Sequence, residues 1–546
     1  MALATSTTID TGSSAEERLR ECDIYYQRAM GLCEKQMMRG TSFEIVQFLL
    51  VMGQYLQGTQ RSVETWSIHG LAVKAAMQLG LHCPKVSGHL SPLMQEYRKR
   101  TWYGCVVLDR TLSMTFGRPS AIPGDYVVLD LPCNVGMSNP PGAMAPRTEA
   151  SLGFFNATIT LYMIMWNVIQ TAYGGNLGSE SNVGVVERIT RIFPIEQQLV
   201  DWKRRLPPTL ALQQAANVAP SPAVMVDSQD FFLEKFRVIL TLRHHNLRVL
   251  LHRPILVSFL DLAGNNSPQD DPETSRYLEQ FGGNSVQICV QSSIEIISLI
   301  STIVASTGLR RTWLGAWWFT LYYTFNAALV LFAALLVVQS QPSGSTGGIA
   351  LLLSPAEMHR AMLEASAVLR RLDTENRTIK KCAEYVEKLI EIFRTLATTS
   401  DSFMPLPLGL DPFSSEEFHF GNNGNESFAG LSDPGVSNTS PLGMELGEFI
   451  LEEDLEFMNQ LFSLGATTGN TPRSVSRAAP GMAPGLDLRL AAASPTINEQ
   501  LALNRPAAPI SVTEGIAEIL LGPAPPSAPV PFVPPAPPIG LALPGS

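Results

Sequence analysis

Residues 91–123, SPLMQEYRKRTWYGCVVLDRTLSMTFGRPSAIP, encode one long helix whose two ends can be read directly. A serine hydroxyl accepts free backbone amides at a helix N-terminus, and proline is tolerated at the first helical position. Ser91 and Pro92 therefore predict where the helix begins. Gly117 can adopt the left-handed conformation that closes a helix, and Pro119 prevents continuation. The sequence thus predicts a helix that ends just before this glycine.

Apolar residues inside this helix recur at alternating spacings of three and four, which predicts one core-facing stripe. The stripe consists of Met94, Tyr97, Thr101, Cys105, Leu108, Leu112 and Phe116. Asp109 and Arg110 lie inside the apolar run, and neither has an opposite charge three or four positions away. If buried, they need partners from another segment, and Arg118 is a candidate for Asp109. A fold-defining ion pair is the favoured interpretation, with a ligand-binding or regulatory charge cluster as the alternative.

Composition divides the chain into a nearly neutral body and an acidic tail. Of 546 residues, 45% are hydrophobic and 16% are charged, which indicates a well-buried globular part. Residues 401–472 contain 12 acids and no Lys or Arg, leaving 39 basic against 37 acidic residues elsewhere. The seven cysteines include no C-x-x-C pair, a pattern typical of a reducing compartment. Residues 1–14 lack the features of a secretory signal, so we expect an intracellular protein.

Helical periodicity covers residues 16–400, where no β alternation appears. Further helices are predicted over 16–40, 42–56, 62–80, 152–173, 183–206 with an interruption at Pro194, 228–252 with a stop at Pro254, 285–306, 313–338, 354–372 and 379–396. Ser354 to Glu357 carry the sharpest start signal, a complete capping box. Residues 119–134 should form an extended surface strap. Gly70 should let a neighbouring helix approach closely.

These patterns predict an all-α fold: a multi-helix regulatory domain followed by a disordered tail. The domain is expected over residues 16–400, after a disordered N-terminus at 1–15. The tail should be acidic over 401–472 and rich in Pro and Ala over 473–546, a composition that cannot build a packed core.

The segment 313–338 contains no charged residue and is long enough to cross a bilayer. Polar residues interrupt its centre, and Asn326 would be costly in lipid without a partner. The sequence pattern offers no second span beside it. We therefore predict the central buried helix of the all-α domain, with a membrane span as the less favoured alternative.

The sequence contains none of the motifs of the common enzyme classes, so we predict no catalytic, cofactor-binding or metal-ligating residue. His244 and His245 are adjacent and should face different sides of a helix, which favours a polar patch over a shared metal ion. The basic runs 98–100 and 203–205 are interpreted as solvated helix faces rather than nuclear-import or phosphate contacts. The chain is therefore not expected to be an enzyme.

Residues 444–464 interleave acids with bulky apolar side chains in the otherwise polar tail. Leu451, Leu455, Met458 and Phe462 share one helical face. This pattern is typical of a transcriptional activation segment that folds into a groove on a coactivator or the transcription machinery. The alternative is a terminal helix that docks on the body itself. The contacting side chains are expected to be Phe449, Leu451, Leu455, Phe457, Met458, Leu461 and Phe462.

Several motifs taken in order resemble the fungal-specific transcription factor domain, the middle homology region of fungal zinc-cluster regulators. They include WSIHGLA at 66–72, QLGLH at 78–82, RKRTW at 98–102, LDR at 108–110, GRPSAI at 117–122, and LHRP at 251–254. The fold-defining positions marked by the resemblance are Trp66, Gly70, Gly80, Arg98, Arg100, Trp102, Asp109, Arg110, Gly117, Arg118, Pro119, Trp202, Arg253 and Pro254.

The resemblance implies an all-helical regulatory domain over about residues 16–400, a nuclear location and control of RNA polymerase II genes. It also implies DNA binding by an N-terminal cluster in which six cysteines hold two zinc ions, often followed by a dimerisation segment. No cysteine cluster precedes Cys22, so zinc is expected only if such a cluster lies upstream of Met1.

Contact with DNA is accordingly expected only indirectly or through a missing N-terminal part. A homodimer is one option, and no membrane contact is expected. Two alternatives stay open: a co-regulator without its own DNA-binding domain, and a metabolite-binding helical domain.

Overall fold

The computed structural model of the protein describes residues 15–39, 41–135, 145–173, 184–218, 228–264, 272–306, 308–340, 354–373 and 375–400. Within these ranges the chain forms twelve α-helices and no β-strand, which confirms the all-α prediction. The helices are α1 (Ala15–Arg39), α2 (Phe43–Gly58), α3 (Ser62–Gln78), α4 (Pro84–Ser87), α5 (Pro92–Phe116), α6 (Ala145–Tyr173), α7 (Val185–Arg205), α8 (Ser228–Gly264), α9 (Pro272–Ala305), α10 (Trp317–Gln339), α11 (Pro355–Leu372) and α12 (Arg377–Ser400).

Both predicted ends of α5 are confirmed. The Ser91 hydroxyl accepts a hydrogen bond from the Met94 amide at 3.3 Å, and Pro92 occupies the first turn. Gly117 adopts a left-handed conformation with φ of 60° and ψ of 32°, and its amide donates to the Ser113 carbonyl. The capping box of α11 is also present, because Ser354 and Glu357 exchange backbone and side-chain hydrogen bonds.

The α5 helix is buried on nearly all sides rather than along one stripe. Every side chain from Arg100 to Met114 is buried except the half-buried Val107. The predicted stripe is wrong at its beginning, where Met94 is 39% exposed and Tyr97 is half-buried. The physical reason is that α5 lies between two hydrophobic cores and contributes side chains to both.

The smaller core is formed by α2, α3, α5 and the strap that follows α5, with Val46, Val73, Trp102 and Ile122 among its buried members. The larger core is formed by helices α6 to α12, and Met114 of α5 joins it. The strap carries a short 3-10 turn at Gly124–Tyr126 and otherwise lacks helix, as predicted.

The helix α10 is the predicted central helix of the larger core. It packs against α8, α9, α11 and α12, and its polar residues Thr320, Thr324 and Asn326 are buried. By length and composition, three described helical segments could cross a membrane: Glu149–Tyr173, Arg276–Ala305 and Trp317–Gln339. The expectation that no second candidate exists was therefore wrong. In each segment more than half of the apolar window is buried inside the helical structure.

Two predicted helix breaks are wrong. The helix α7 continues through Pro194, and α8 continues through Pro254 as far as Gly264. A proline removes one backbone hydrogen bond, but buried neighbours such as Ile195 and Ile255 hold the helix on both sides of it. Tertiary packing outweighs the local signal in both cases.

Gly70 does not allow the close helix approach that the sequence suggested. A Cβ atom added at Gly70 would meet no heavy atom within 4 Å. The neighbouring residue His69 makes the contact instead, because its side chain is the one that faces α5.

Side chains of the N-terminal helical region contact the connection between α11 and α12. Arg18 of α1 donates to the Asp373 carboxylate at 2.9 Å, and both side chains are 12% exposed. Gln60, directly after α2, donates to the Thr378 hydroxyl of α12 at 2.9 Å. The connection between α11 and α12 is therefore held against the N-terminal helices.

Candidate functional site

Asp109 of α5 is fully buried and lies among four hydrogen-bonding groups. His69 Nε2 lies 3.2 Å from its Oδ1, and Arg110 donates to its Oδ2 at 2.5 Å. The backbone amides of Ala121 and Ile122 donate to the same carboxylate at 2.9 Å and 3.2 Å. A buried carboxylate is tolerated only when it is paired in this way. The cluster therefore attaches the beginning of the strap to the end of α5.

The predicted pairing of Asp109 with Arg118 is wrong. The Arg118 guanidinium carbon lies 5.4 Å from the centre of the Trp66 ring and 5.9 Å from that of Phe116. Asp109 pairs instead with Arg110, its neighbour in the chain. The rule that helix neighbours interact at three or four positions misses this pair. The long arginine side chain reaches back to the carboxylate from the adjacent position.

Arg110 connects α5 to α6. It is 1% exposed, and its guanidinium carbon lies 4.3 Å from the centre of the Trp166 ring, within the range of a cation–π interaction. Burial lowers the pKa of Arg110, although Asp109 opposes that shift. A Cβ atom at Gly124 of the strap would lie 2.9 Å from Trp166 Nε1. The strap, α5 and α6 therefore meet around this tryptophan.

Further polar contacts hold the strap along α5 in antiparallel direction. The Tyr103 hydroxyl donates to the Leu129 carbonyl. Arg100 donates to the Cys133 carbonyl at 3.0 Å, and Glu96 accepts the Cys133 amide at 2.9 Å. Since earlier positions on α5 bind later positions on the strap, the strap runs back towards the beginning of the helix.

The basic run at 98–100 is not the solvated helix face that the sequence predicted. Arg100 is buried and donates to Glu96 at 2.9 Å. Arg98 donates to the Leu79 carbonyl at 2.6 Å, at the end of α3. The second basic run, residues 203–205, is exposed on α7 as predicted.

The remaining positions marked by the resemblance lie in separate places. Trp102 is fully buried in the smaller core, and Gly80 has a left-handed backbone with φ of 65°. Trp202 of α7 donates through Nε1 to the Ala157 carbonyl of α6 at 3.1 Å. The Arg253 guanidinium carbon lies 5.4 Å from the centre of the Tyr173 ring, within the larger core. The structure therefore gathers only part of the set around Asp109.

A second buried cluster joins α7, α8 and α9. It was not predicted, because its members are far apart in the chain. His252 Nδ1 lies 3.0 Å from the Ser285 hydroxyl, and Nε2 lies 3.3 Å from Glu196 Oε2. Arg248 donates twice to Glu196 Oε1, at 3.0 Å and 2.6 Å. Hydrogen bonds thus connect the four side chains in the order Ser285, His252, Glu196 and Arg248.

Serine, histidine and carboxylate follow one another here as in the catalytic triad of a hydrolase, but the groups that would stabilise an oxyanion are missing around Ser285. Ser285 lies in the middle of α9, where backbone amides are bonded within the helix and cannot stabilise an oxyanion. Burial lowers the pKa of His252, although the hydrogen bond to Glu196 opposes that shift. Burial alone would raise the pKa of Glu196, but hydrogen bonds from His252 and Arg248 outweigh it and lower the pKa. The cluster is suited to holding three helices together.

His244 and His245 form a packed polar patch, as predicted. The expectation that they face different sides of the helix is wrong, because their ring centroids lie only 5.2 Å apart. The His244 ring stacks on Trp202 with a centroid distance of 5.7 Å and an interplanar angle of 14°. Burial lowers the pKa of both histidines, and that of His245 is about 3. Within the described residues, no group of three or more His, Cys, Asp and Glu side chains could hold a metal ion. The predicted activation segment lies outside the described residues.

The fold and these two clusters define an all-helical domain whose buried charges fix a strap and three helices in place. Residues 1–203 match the model of the family described as the fungal specific transcription factor domain. The resemblance seen in the sequence is thereby confirmed. The matched region contains the Asp109 cluster and the strap, whereas Arg253 and Pro254 lie beyond it.

Relatives found by sequence comparison bear the names of fungal regulators. Transcription factor FBD3 of Gibberella moniliformis is 32% identical over 389 residues, covering 71% of this chain and 50% of that protein. Transcription factor FBD3 of Fusarium pseudograminearum is 33% identical, covering 70% and 49%. Sorbicillinoid biosynthetic cluster transcription factor 2 of Penicillium rubens is 24% identical, covering 58% and 44%. The chain thus spans about half the length of the first two relatives. No solved structure matches it.

Proposed function

We propose that this chain is the regulatory and activating portion of a fungal transcription factor that controls RNA polymerase II genes. The observation that carries the proposal is the family match over residues 1–203, together with relatives that are named as transcription factors. A helical body joined to an acidic-apolar tail segment suits a protein that presents a binding segment to the transcription machinery.

The proposal places the protein in the nucleus and assigns it no catalytic activity. Support comes from the names of the relatives and from the chemistry of the two buried clusters, which bind backbone groups and neighbouring side chains. DNA binding through a six-cysteine zinc cluster and homodimerisation belong to the same proposal and rest on the resemblance. No residue of this chain is assigned to DNA binding.

The activating function is assigned to residues 444–464 and tested by fusion. Residues 401–472 joined to a foreign DNA-binding domain should activate a reporter gene. Replacement of Leu455, Met458 and Phe462 by Ala should abolish activation, because these side chains share the predicted apolar face. The matched control replaces Phe403, Leu406 and Leu408, which lie outside the segment. Equal activity of both triple variants would contradict the assignment.

A second experiment tests the whole chain in cells. The full chain carrying a fluorescent tag should accumulate in the nucleus, and deletion of its gene should change the transcript levels of a limited set of genes. Retention in membranes after carbonate extraction would instead favour the alternative that α10 and its apolar neighbours span a bilayer. Normal transcripts in the deletion strain would contradict the regulatory proposal itself.

A further inference from the structure

Large apolar side chains are exposed on the strap and on α4. Val128 of the strap is 67% exposed, Tyr126 is 47% exposed, and Val86 of α4 is 45% exposed. Six of the fourteen exposed large apolar side chains in the described part of the chain come from residues 86–131. Single exposed apolar residues are ordinary, but a group of them on adjoining segments is typical of an interaction surface.

The strap buries one face and exposes the other. Val127 and Leu129 pack against Tyr103 of α5 and its apolar neighbours on α6. Val128 and Asp130, which alternate with them, are exposed. Such alternation is expected where an extended segment lies with one face on the protein. The packing on either side of Val128 therefore holds its side chain at the surface.

The helix α4 and the strap lie on two sides of the first half of α5. Arg98 donates to the serine hydroxyl at the end of α4 at 2.9 Å, whereas Arg100 donates to the Cys133 carbonyl of the strap. Side chains two positions apart leave a helix about 200° apart. The Tyr126 ring of the strap also lies 5.7 Å from the ring of His82, just before α4. The two segments therefore form one continuous surface across α5.

The two sides of this surface carry charges of opposite sign. Residues 84–90, which include α4, contain Lys85 and no acid, whereas residues 119–134 of the strap contain Asp125 and Asp130 and no Lys or Arg. All three side chains are exposed, and none forms an ion pair within the described ranges. The surface thus has a basic side on α4, an acidic side on the strap, and exposed apolar residues on both.

We propose that this α4–strap surface binds a second copy of the chain across a two-fold axis. In a two-fold pair, each residue that contacts a second residue of the partner is itself contacted in the same way. The basic side of one copy therefore meets the acidic side of the other. A partner with charges of a single sign would place like charges together on one side, which is unfavourable. The contacting apolar residues are Val86, Tyr126, Val128 and Leu131.

Because the proposed function includes homodimerisation, the α4–strap surface rests on that proposal and gives the dimer a location. Lys85 of one copy should lie near Asp130 of the other, and the same contact should occur a second time across the axis. Complementary charges of this kind fix the orientation of two partners, while the apolar residues supply the buried area.

The first test measures the molar mass of the full chain by sedimentation equilibrium. The natural chain should form a dimer at micromolar concentration. Val128→Asp would bury an unpaired charge and should weaken the dimer by about tenfold or more. Val186→Asp, at an exposed position of α7, is the matched control and should dimerise like the natural chain. A monomeric natural chain, or a dimer that is weakened equally in both variants or in neither, would overturn the proposal.

Charge reversal tests the two-fold arrangement. Lys85→Glu alone would place two acids together twice, and Asp130→Lys alone would place two bases together twice, so each variant should dimerise about tenfold more weakly. An equimolar mixture of these two variants should restore dimerisation, because each contact then joins one acid and one base. Both positions are exposed, so each variant should unfold at the temperature of the natural chain. A mixture that dimerises as weakly as the single variants would overturn the proposal.

Failure of this proposal can be told apart from failure of the proposed function. A monomeric chain that still activates genes would overturn only the α4–strap dimer. A chain that dimerises as described but regulates no gene would leave the dimer established and contradict only the role in transcription.

Discussion

The Asp109 carboxylate accepts the backbone amide of Ala121 at 2.9 Å, twelve residues further along the chain. This bond links the buried stretch of α5 to the beginning of the strap. The same carboxylate also neutralises Arg110, which in turn packs on Trp166 of α6. One side chain therefore fixes the position of the strap and of the next helix.

Loss of this carboxylate should strongly destabilise the protein. In Asp109→Asn the guanidinium of Arg110 keeps its buried position without a counter-charge, which typically costs about 3–5 kcal/mol. The free energy of unfolding measured in urea should fall by that amount. Asp125→Asn, at an exposed position of the strap, is the matched control and should change it by less than about 0.5 kcal/mol. Similar values for both variants would contradict the role given to Asp109.

Two glycine substitutions should have opposite effects. In Gly124→Ala the new Cβ would lie 2.9 Å from Trp166 Nε1, so the strap or the indole must move, at a cost of about 1–3 kcal/mol. In Gly70→Ala, within α3, the new Cβ contacts no neighbouring atom. Because alanine favours the helix more than glycine does, the free energy of unfolding should rise by about 0.5–1 kcal/mol. Thermal and urea unfolding of both variants would check this. A stabilised Gly124→Ala would show that the strap does not press against α6.

Buried histidines should make the fold less stable as the pH falls below 6.5. Burial lowers the pKa of His244, His245 and His252, so these rings stay neutral in the folded state and take up protons on unfolding. A depressed folded-state pKa gives stability that is present above the unfolded value and is lost at lower pH. For His245, whose pKa is lowered to about 3, the loss of stability between pH 7 and pH 5 should be about 2 kcal/mol.

The measurement is urea unfolding at both pH values. His245→Gln should reduce the pH dependence because it removes one of the buried titrating rings, whereas His89→Gln, in the turn before α5, should leave it unchanged. An unfolding free energy that is the same at pH 7 and pH 5 in the natural chain would contradict the prediction.

Ser285 should be a structural hydroxyl rather than a nucleophile. Ser285→Ala removes one hydrogen bond to His252 and should lower the free energy of unfolding by about 0.5–1.5 kcal/mol. Hydrolysis of p-nitrophenyl acetate should be the same for this variant and the natural chain. A Ser285-dependent rate above that of the buffer would contradict the structural role and indicate catalytic activity.

Local signals in the sequence were sufficient for the ends of α5 and the start of α11. Ser91, Gly117 and Ser354 act through hydrogen bonds and backbone conformations within a few residues, which a single sequence can reveal. Pro194 and Pro254 are equally local signals, yet they misled, because buried contacts with other helices hold α7 and α8 together through each proline.

The candidate sites were harder to predict, because their partners are set by tertiary structure. The sequence singled out Asp109 as buried and in need of a partner, but its partners include backbone amides of the strap, which carry no sequence pattern. Glu196, His252 and Ser285 come from three helices separated by long stretches of chain.

The larger hydrophobic core has a consequence for how this protein can be divided. Leu161 of α6 lies within the family match, and Ile390 of α12 lies far beyond it, yet both are buried members of that one core. A fragment cut at residue 203 would leave the apolar faces of α6 and α7 in water. Residues 1–203 are therefore not an autonomous folding unit. A fragment meant to fold on its own must extend as far as α12.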